Sequence, residues 1–219
     1  MDLHINKKSV IIFDLDDTLY QEVDYLKSAY KEIVDPYVSS RIMYMQMMSW
    51  FREGKDVFQN LYENYDLRKN KLQLIEQYRK HFPNIKLNSG AKLFIEELYN
   101  YSIVMGLITD GRSLSQRHKI KALGLNDWIN EIVISEELGS EKPNFKNYRT
   151  ISQKYIGSNF IYIGDNPQKD FITPNSMGWY TIGIKDKGDN IHSQDIPLDI
   201  TFQPHVWLSC FEEIKLIYS

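Results

Sequence analysis

One cysteine, Cys210, stands in 219 residues, which excludes an internal disulfide and a zinc site built of cysteines alone, and fits a reducing compartment. No apolar run approaches the ~20 residues that a membrane-spanning helix needs, and Met1-Asp2-Leu3-His4 does not read as a secretory leader. Charge of one sign is lacking too. The 26 Lys and Arg face 29 Asp and Glu, a formal net charge of −3, so no basic excess is available to hold nucleic acid or an anionic membrane. The histidines (His4, His81, His118, His192 and His205) never fall at H-x-x-x-H spacing and are read as structural or exposed. Internal repeats and low-complexity tracts are absent as well. These absences leave a soluble, cytoplasmic globular chain as the expectation, 42% hydrophobic and long enough for one domain or one domain carrying an insertion.

Strand-like apolar runs recur at Val10–Phe13, Ile103–Ile108, Glu131–Ile134, Phe160–Ile163 and Trp179–Ile184. Helical spacing lies between them, over 90–99 with Ser89 as a candidate cap, over 113–123 ending at Gly124, and over 144–155. Strand and helix in alternation predict an α/β fold, a doubly wound parallel sheet covered on both faces, whose ligands bind beyond the carboxyl ends of its strands. One segment breaks the rhythm. Residues 21–82 carry only helical pattern, over 25–38, 41–51, 57–65 and 69–81, which predicts an all-helical cap inserted into a core of 1–20 and 83–219. Residues 185–204 are polar and turn-rich and read as loop, followed by a terminal helix over 206–217.

The first strand-like run stops at three carboxylates, Asp14, Asp16 and Asp17. Crowded carboxylates raise one another's pKa unless a cation compensates, and a hard divalent ion such as Mg2+ prefers oxygen ligands. In extended backbone Asp14 and Asp16 point to one side while Asp17 points elsewhere, and Thr18 returns toward the site if the chain turns. At the end of the second run, Thr109, Asp110 and Gly111 offer a hydroxyl and backbone N–H groups, an anion cradle just before a helix. Lys142-Pro143 follows; Pro143 bars Lys142 from helix and suits a helix start. The run at 160–163 empties into Gly164-Asp165-Asn166-Pro167, where Pro167 is expected to begin a helix and Asp170 to lean back from one turn in.

These four motifs, in this order and each at a strand end, resemble those of the haloacid dehalogenase (HAD) superfamily over about 9–184, with the helical insertion where its small-cap branch keeps a cap. The resemblance implies Asp14 as nucleophile and Asp16 as general acid, then base. It implies Mg2+ held by Asp14, Asp165 and the Asp16 carbonyl, with Thr109, the Asp110 and Gly111 N–H groups and Lys142 gripping the transferring group. Asp165 is preferred over Asp170 as the direct ligand, leaving Asp170 and Asn166 to orient Lys142 or a metal-bound water. Asp17 stands where many relatives have Gly, and Asp110 where many have Asn. Members that cleave carbon–halogen bonds typically lack an acid matching Asp16, so its presence implies a phosphatase acting on a small phosphorylated metabolite, a nucleotide or sugar phosphate among the candidates. Two alternatives stand beside it: a phosphotransferase or phosphomutase, and a binding or regulatory module with little turnover. Arg112 and Lys119 are read as helix-surface charge. The cap aromatics and methionines (Tyr25, Tyr30, Tyr37, Tyr44, Met45, Met48, Trp50 and Phe51) are read as the cap's own core, plus a dimer or cap–core contact.

Overall fold

The computed structural model describes every residue except Ile196 and Leu198, two positions of the expected loop over 185–204. The chain opens with a short strand, β1 (Asp2–Ile5), and the first strand of the main sheet, β2 (Ser9–Phe13). Four helices follow, α1 (Glu22–Val34), α2 (Ser40–Arg52), α3 (Val57–Asn64) and α4 (Lys71–Lys80). Then come α5 (Ser89–Asn100), β3 (Val104–Thr109), α6 (Ser113–Ala122), β4 (Glu131–Ile134), the single turn α7 (Ser135–Leu138) and α8 (Phe145–Ser152). The chain closes with β5 (Asn159–Gly164), α9 (Ile172–Ser176), β6 (Tyr180–Ile184), β7 (Val206–Leu208) and β8 (Lys215–Tyr218).

The six-stranded sheet is parallel throughout, in the order β4-β3-β2-β5-β6-β7. Every residue of β2 is buried because helices cover both faces. Ile11 and Phe13 pack with Phe94 and Ile95 of α5 and Ile120 of α6, whereas Val10 and Ile12 pack with Tyr148 and Ile151 of α8. The chain winds from β2 outward through β3 and β4, then returns to start again at β5 on the other side. That reversal opens a crevice between the carboxyl ends of β2 and β5. The inserted helices bury a cluster of their own: Leu26, Tyr30 and Ile33 of α1 and Met43, Met47 and Trp50 of α2 repeat at i, i+4, i+7 and meet Leu61 and Leu74. Tyr37, Tyr44 and Phe51 pack on its margin, Met45 is exposed, and Tyr25 packs into the main core as a cap–core contact. Asp56 caps α3 and an Asn70/Gln73 capping box starts α4.

Three local expectations are corrected. The stretch 206–217 is not a helix: β7 extends the sheet beside β6, and β8 pairs in parallel with the N-terminal strand β1 in a separate two-stranded sheet. Ser89 is inside α5 rather than its cap; Asn88 holds that position, and the Ser89 hydroxyl donates to Glu212 at 3.3 Å. Pro167 begins a turn, and the helix waits until Ile172. Among the described residues no helix is long and apolar enough to cross a membrane.

Candidate active site

Asp14 leaves the end of β2 with its N–H donated to the Ile163 carbonyl of β5 at 2.8 Å, which fixes it at the crevice. Its carboxylate is buried and accepts from the Lys142 ammonium, which also donates to Asp170 at 2.7 Å. The Thr18 hydroxyl lies 3.4 Å from Asp14 Oδ2 and 3.2 Å from Asp165 Oδ1, so the chain does turn back as Thr18 required. Asp110 does not face its carboxylate into a phosphate grip. One oxygen accepts the Lys142 N–H at 3.0 Å and the other the Lys169 ammonium at 3.2 Å, which positions the Lys142 backbone. The Gly111 N–H, expected in the anion cradle, donates to Ser135 Oγ at 2.9 Å.

Asp170 is fully buried and saturated. One oxygen accepts from Lys142 and the Tyr162 hydroxyl, and the other from the N–H groups of Asp165 (3.2 Å) and Asn166 (2.9 Å). Asn166 itself accepts the Gln168 N–H at 3.0 Å, ordering the turn. Asp165 is less committed, with Thr18 on one oxygen and the Asn190 amide on the other at 3.1 Å. Asp14, Asp165 and Asp170 offer oxygens within 4.8 Å of one another. Burial pushes the Asp14 carboxyl up to about 7 despite Lys142, with Asp170 repelling it; burial and the neighbouring Asp14 and Asp170 hold Asp165 well above the carboxylate range. Three clustered carboxylates with one ammonium, which reaches only Asp14 and Asp170, fit a divalent cation, and saturation of Asp170 leaves Asp14 and Asp165 as the available carboxylates.

Asp16 occupies a different setting. Its Oδ1 accepts from the Tyr20 hydroxyl and, at 2.7 Å, from Lys119; its Oδ2 accepts from the Gln116 amide at 2.9 Å. Burial opposes its ionisation, yet the Lys119 ammonium holds its carboxyl below the usual range. Lys119 is therefore not surface charge. Its side chain is 6% exposed, 3.5 Å from Glu22 and 4.7 Å from the Tyr25 ring centroid, whereas Arg112 is exposed as expected. Gln116 also donates to Thr109 Oγ1 and the Asp110 carbonyl. Asp17 adopts φ 57°, the left-handed conformation that glycine accepts most easily, and its carboxylate receives the Glu22 N–H (2.8 Å) and the Ile191 N–H (3.3 Å). Asp14, Asp16, Thr109, Lys142 and Asp165 line one cavity of about 130 Å3, together with Asp17, Glu22, Asp110, Asn166, Lys169 and His192.

A family model described as Haloacid dehalogenase-like hydrolase matches residues 11–184. The chain belongs to the haloacid dehalogenase-like hydrolases. Among curated HAD-like relatives, a glyceraldehyde 3-phosphate phosphatase of Methanocaldococcus jannaschii is 23% identical over 84% of this chain and 90% of its own. A pyrimidine 5'-nucleotidase, PynA of Streptococcus pneumoniae, is 24% identical over 71% of this chain and 68% of its own. Among solved structures, the putative HAD-hydrolase YfnB from Bacillus subtilis, bound to magnesium, superposes with a TM-score of 0.62 at 19% identity, covering 94% of this chain and 96% of that one. The HAD-like fold expected from the four motifs is the one found.

Tyr20, Glu22, Gln116, Lys119, Tyr162, Lys169, Asn190 and His192 were not among the expected site residues. Gln116 and Lys119 carry a signal, being three apart on the helix that starts beside the Thr109 strand end and so sharing a face. Asn190 lies in irregular chain, where no periodicity points to it.

Proposed function

We propose that this chain is a Mg2+-dependent phosphatase that hydrolyses a small phosphorylated metabolite by way of a phosphoryl group carried on Asp14. The observation that carries the reading is the single cavity at the β2–β5 crevice where Asp14, Asp16, Thr109, Lys142 and Asp165 meet. A carboxylate facing an ammonium and a second, separately held carboxylate answers to a nucleophile and an acid–base, and a binding module has no use for the second.

Asp14 attacks phosphorus; as its Oδ–P bond forms, the ester P–O bond breaks, and the leaving oxygen keeps the electron pair and takes a proton by way of Asp16, a carboxylate at rest that first receives that proton from the substrate's monoanionic phosphate. Water then attacks the phosphoryl group, Asp16 accepts its proton, and Asp14 is released as a carboxylate with inorganic phosphate. Lys142 and the Thr109 hydroxyl hold the transferring oxygens, while Asp170 and the Asp110 carboxylate hold Lys142 from its two ends. When bound by Asp14, Asp165 and the Asp16 carbonyl, Mg2+ supplies positive charge to the phosphoryl oxygens. Residues 21–82 act as a cap over a core of 1–20 and 83–219, supported by their separate apolar cluster and by Glu22, which brings the first turn of α1 to the cavity. The compact cavity favours a short ester, and several curated relatives are glyceraldehyde 3-phosphate phosphatases.

The test is hydrolysis of p-nitrophenyl phosphate with and without Mg2+, beside an Asp14→Asn control, followed by triose, sugar, polyol and nucleoside phosphates ranked by kcat/KM. Absence of Mg2+-dependent turnover above the control on every ester would refute the reading.

A further inference from the structure

Both oxygens of Asp16 are pinned by side chains that lie outside the four motifs. Lys119 and Tyr20 reach Oδ1, Gln116 reaches Oδ2, and Lys119 sits beneath the Tyr25 ring with Glu22 as its second carboxylate. Burying an ammonium here serves no packing need: an apolar side chain of the same length would fill the space between α6 and α1 at least as stably. What an apolar side chain would not do is hold a carboxylate in place. Asp14 repels Asp16 across the cavity, and without donors the Asp16 side chain is free to rotate away from the leaving group.

We propose that Lys119 is a positioning residue for proton transfer, fixing the Asp16 carboxylate where it meets the leaving oxygen. The inference rests on the phosphatase reading above. Lys119 does not line the cavity; it acts on it through Asp16. Its loss is felt where departure needs a proton and spared where it does not.

The experiment compares kcat/KM for p-nitrophenyl phosphate, whose phenolate departs unprotonated, with that for a polyol phosphate, whose alkoxide does not. Because kcat/KM ends at P–O cleavage, the later attack of water, common to both esters, drops out. Lys119→Met is expected to lower the polyol value by about 100-fold and the p-nitrophenyl value by less than about threefold. Asp16→Asn should show the same split, and Lys119→Met added to it no further loss, because the two act as one unit. Lys119→Arg, which keeps a cation and its donors, should restore most of the polyol value. Tyr20→Phe removes one hydroxyl and should give the same split on a smaller scale, which keeps the test decisive if Lys119→Met fails to fold. Equal losses on both esters, or additive losses in the Asp16→Asn background, overturn the positioning role. A wild type that turns over neither ester, with or without Mg2+, overturns the phosphatase reading, and the positioning role falls with it.

Discussion

Replacing Lys142 by methionine keeps the length of the side chain and removes the one ammonium that Asp14 and Asp170 share. All three side chains are buried, Lys142 4% exposed, Asp14 8% and Asp170 0%. Deleting one partner of a buried ion pair costs about 3–5 kcal/mol, because the remaining charge keeps its desolvation penalty without its compensation. For a chain of this size that corresponds to a fall in Tm of roughly 10 °C. Asp14 is already pushed up to about 7 with Lys142 present, so the variant has a proton as its alternative partner. An acid whose folded-state pKa is raised binds more protons folded than unfolded, so its stability falls as pH rises through that pKa. The loss should therefore be largest near about pH 8 and shrink near about pH 6, where Asp14 is protonated in the folded state. Mg2+ should stabilise the variant more than the wild type, since the carboxylates lack their native counter-charge; saturation at a hundred times Kd supplies about 2.7 kcal/mol. The assay is thermal unfolding at both pH values, with Mg2+ and with EDTA. A metal-free variant whose Tm at about pH 8 stays within roughly 2 °C of the wild type refutes the charge accounting.

Gly164 ends β5 where an added Cβ would come 2.6 Å from Asp170 Oδ2, so Gly164→Ala should displace Asp170 and with it Lys142. A loss of about 100-fold in kcat/KM on p-nitrophenyl phosphate, with folding retained by circular dichroism, is the expected result. Gly183 faces the Trp207 ring and Pro204, with 2.6 Å and 2.7 Å from its added Cβ to Trp207 Cζ3 and Pro204 Cγ. Gly183→Ala should cost about 1–3 kcal/mol in chemical denaturation, by prising β7 from β6. Burial, then repulsion by Asp16, raises Glu22 to about 8 against the attraction of Lys119. The charged form is thus disfavoured in the folded state, and metal-free stability should fall as pH rises through that value. Glu22→Gln should be more stable than the wild type by up to about 2 kcal/mol near about pH 9 and close to it only near about pH 4, below the unfolded-state pKa; equal gaps at both would refute the assignment.

Fold-level legibility followed burial. The central strands β2, β3 and β5 are apolar on both faces because helices cover both, and such strands announce themselves as continuous runs. The margins do not. Val206-Trp207-Leu208 and Lys215–Tyr218 are short, half-exposed and separated by a 3-10 turn at Phe211–Glu213, and their mixed pattern fits helical spacing as well as an edge strand. What decides for strand is tertiary: Trp207 finds space over Gly183, and β8 finds β1 at the other end of the chain.

The acidic run shows where local reading stops within the site. Asp14, Asp16 and Asp17 are near neighbours, yet each is settled by a partner more than a hundred residues away: Asp14 by Lys142, Asp16 by Lys119 and Asp17 by the Ile191 N–H. Electrostatics demands compensation for crowded carboxylates but does not say which cation compensates which oxygen. That choice is made by the winding of the sheet, which seats α6 over β3 and returns β5 beside β2. Lys119 follows from the winding plus helical periodicity: with Gln116 it takes the face of α6 turned to the strand end, while Arg117, one position past Gln116, turns to solvent and Arg112 lies outside the helix at its N-cap, exposed. A lysine on a short basic helix reads as solvated until its face is fixed. Once the strand end is known as the reacting end, the inward face of the helix that follows the anion cradle, Gln116 about one turn in and Lys119 about two, is where the partner of Asp16 is found.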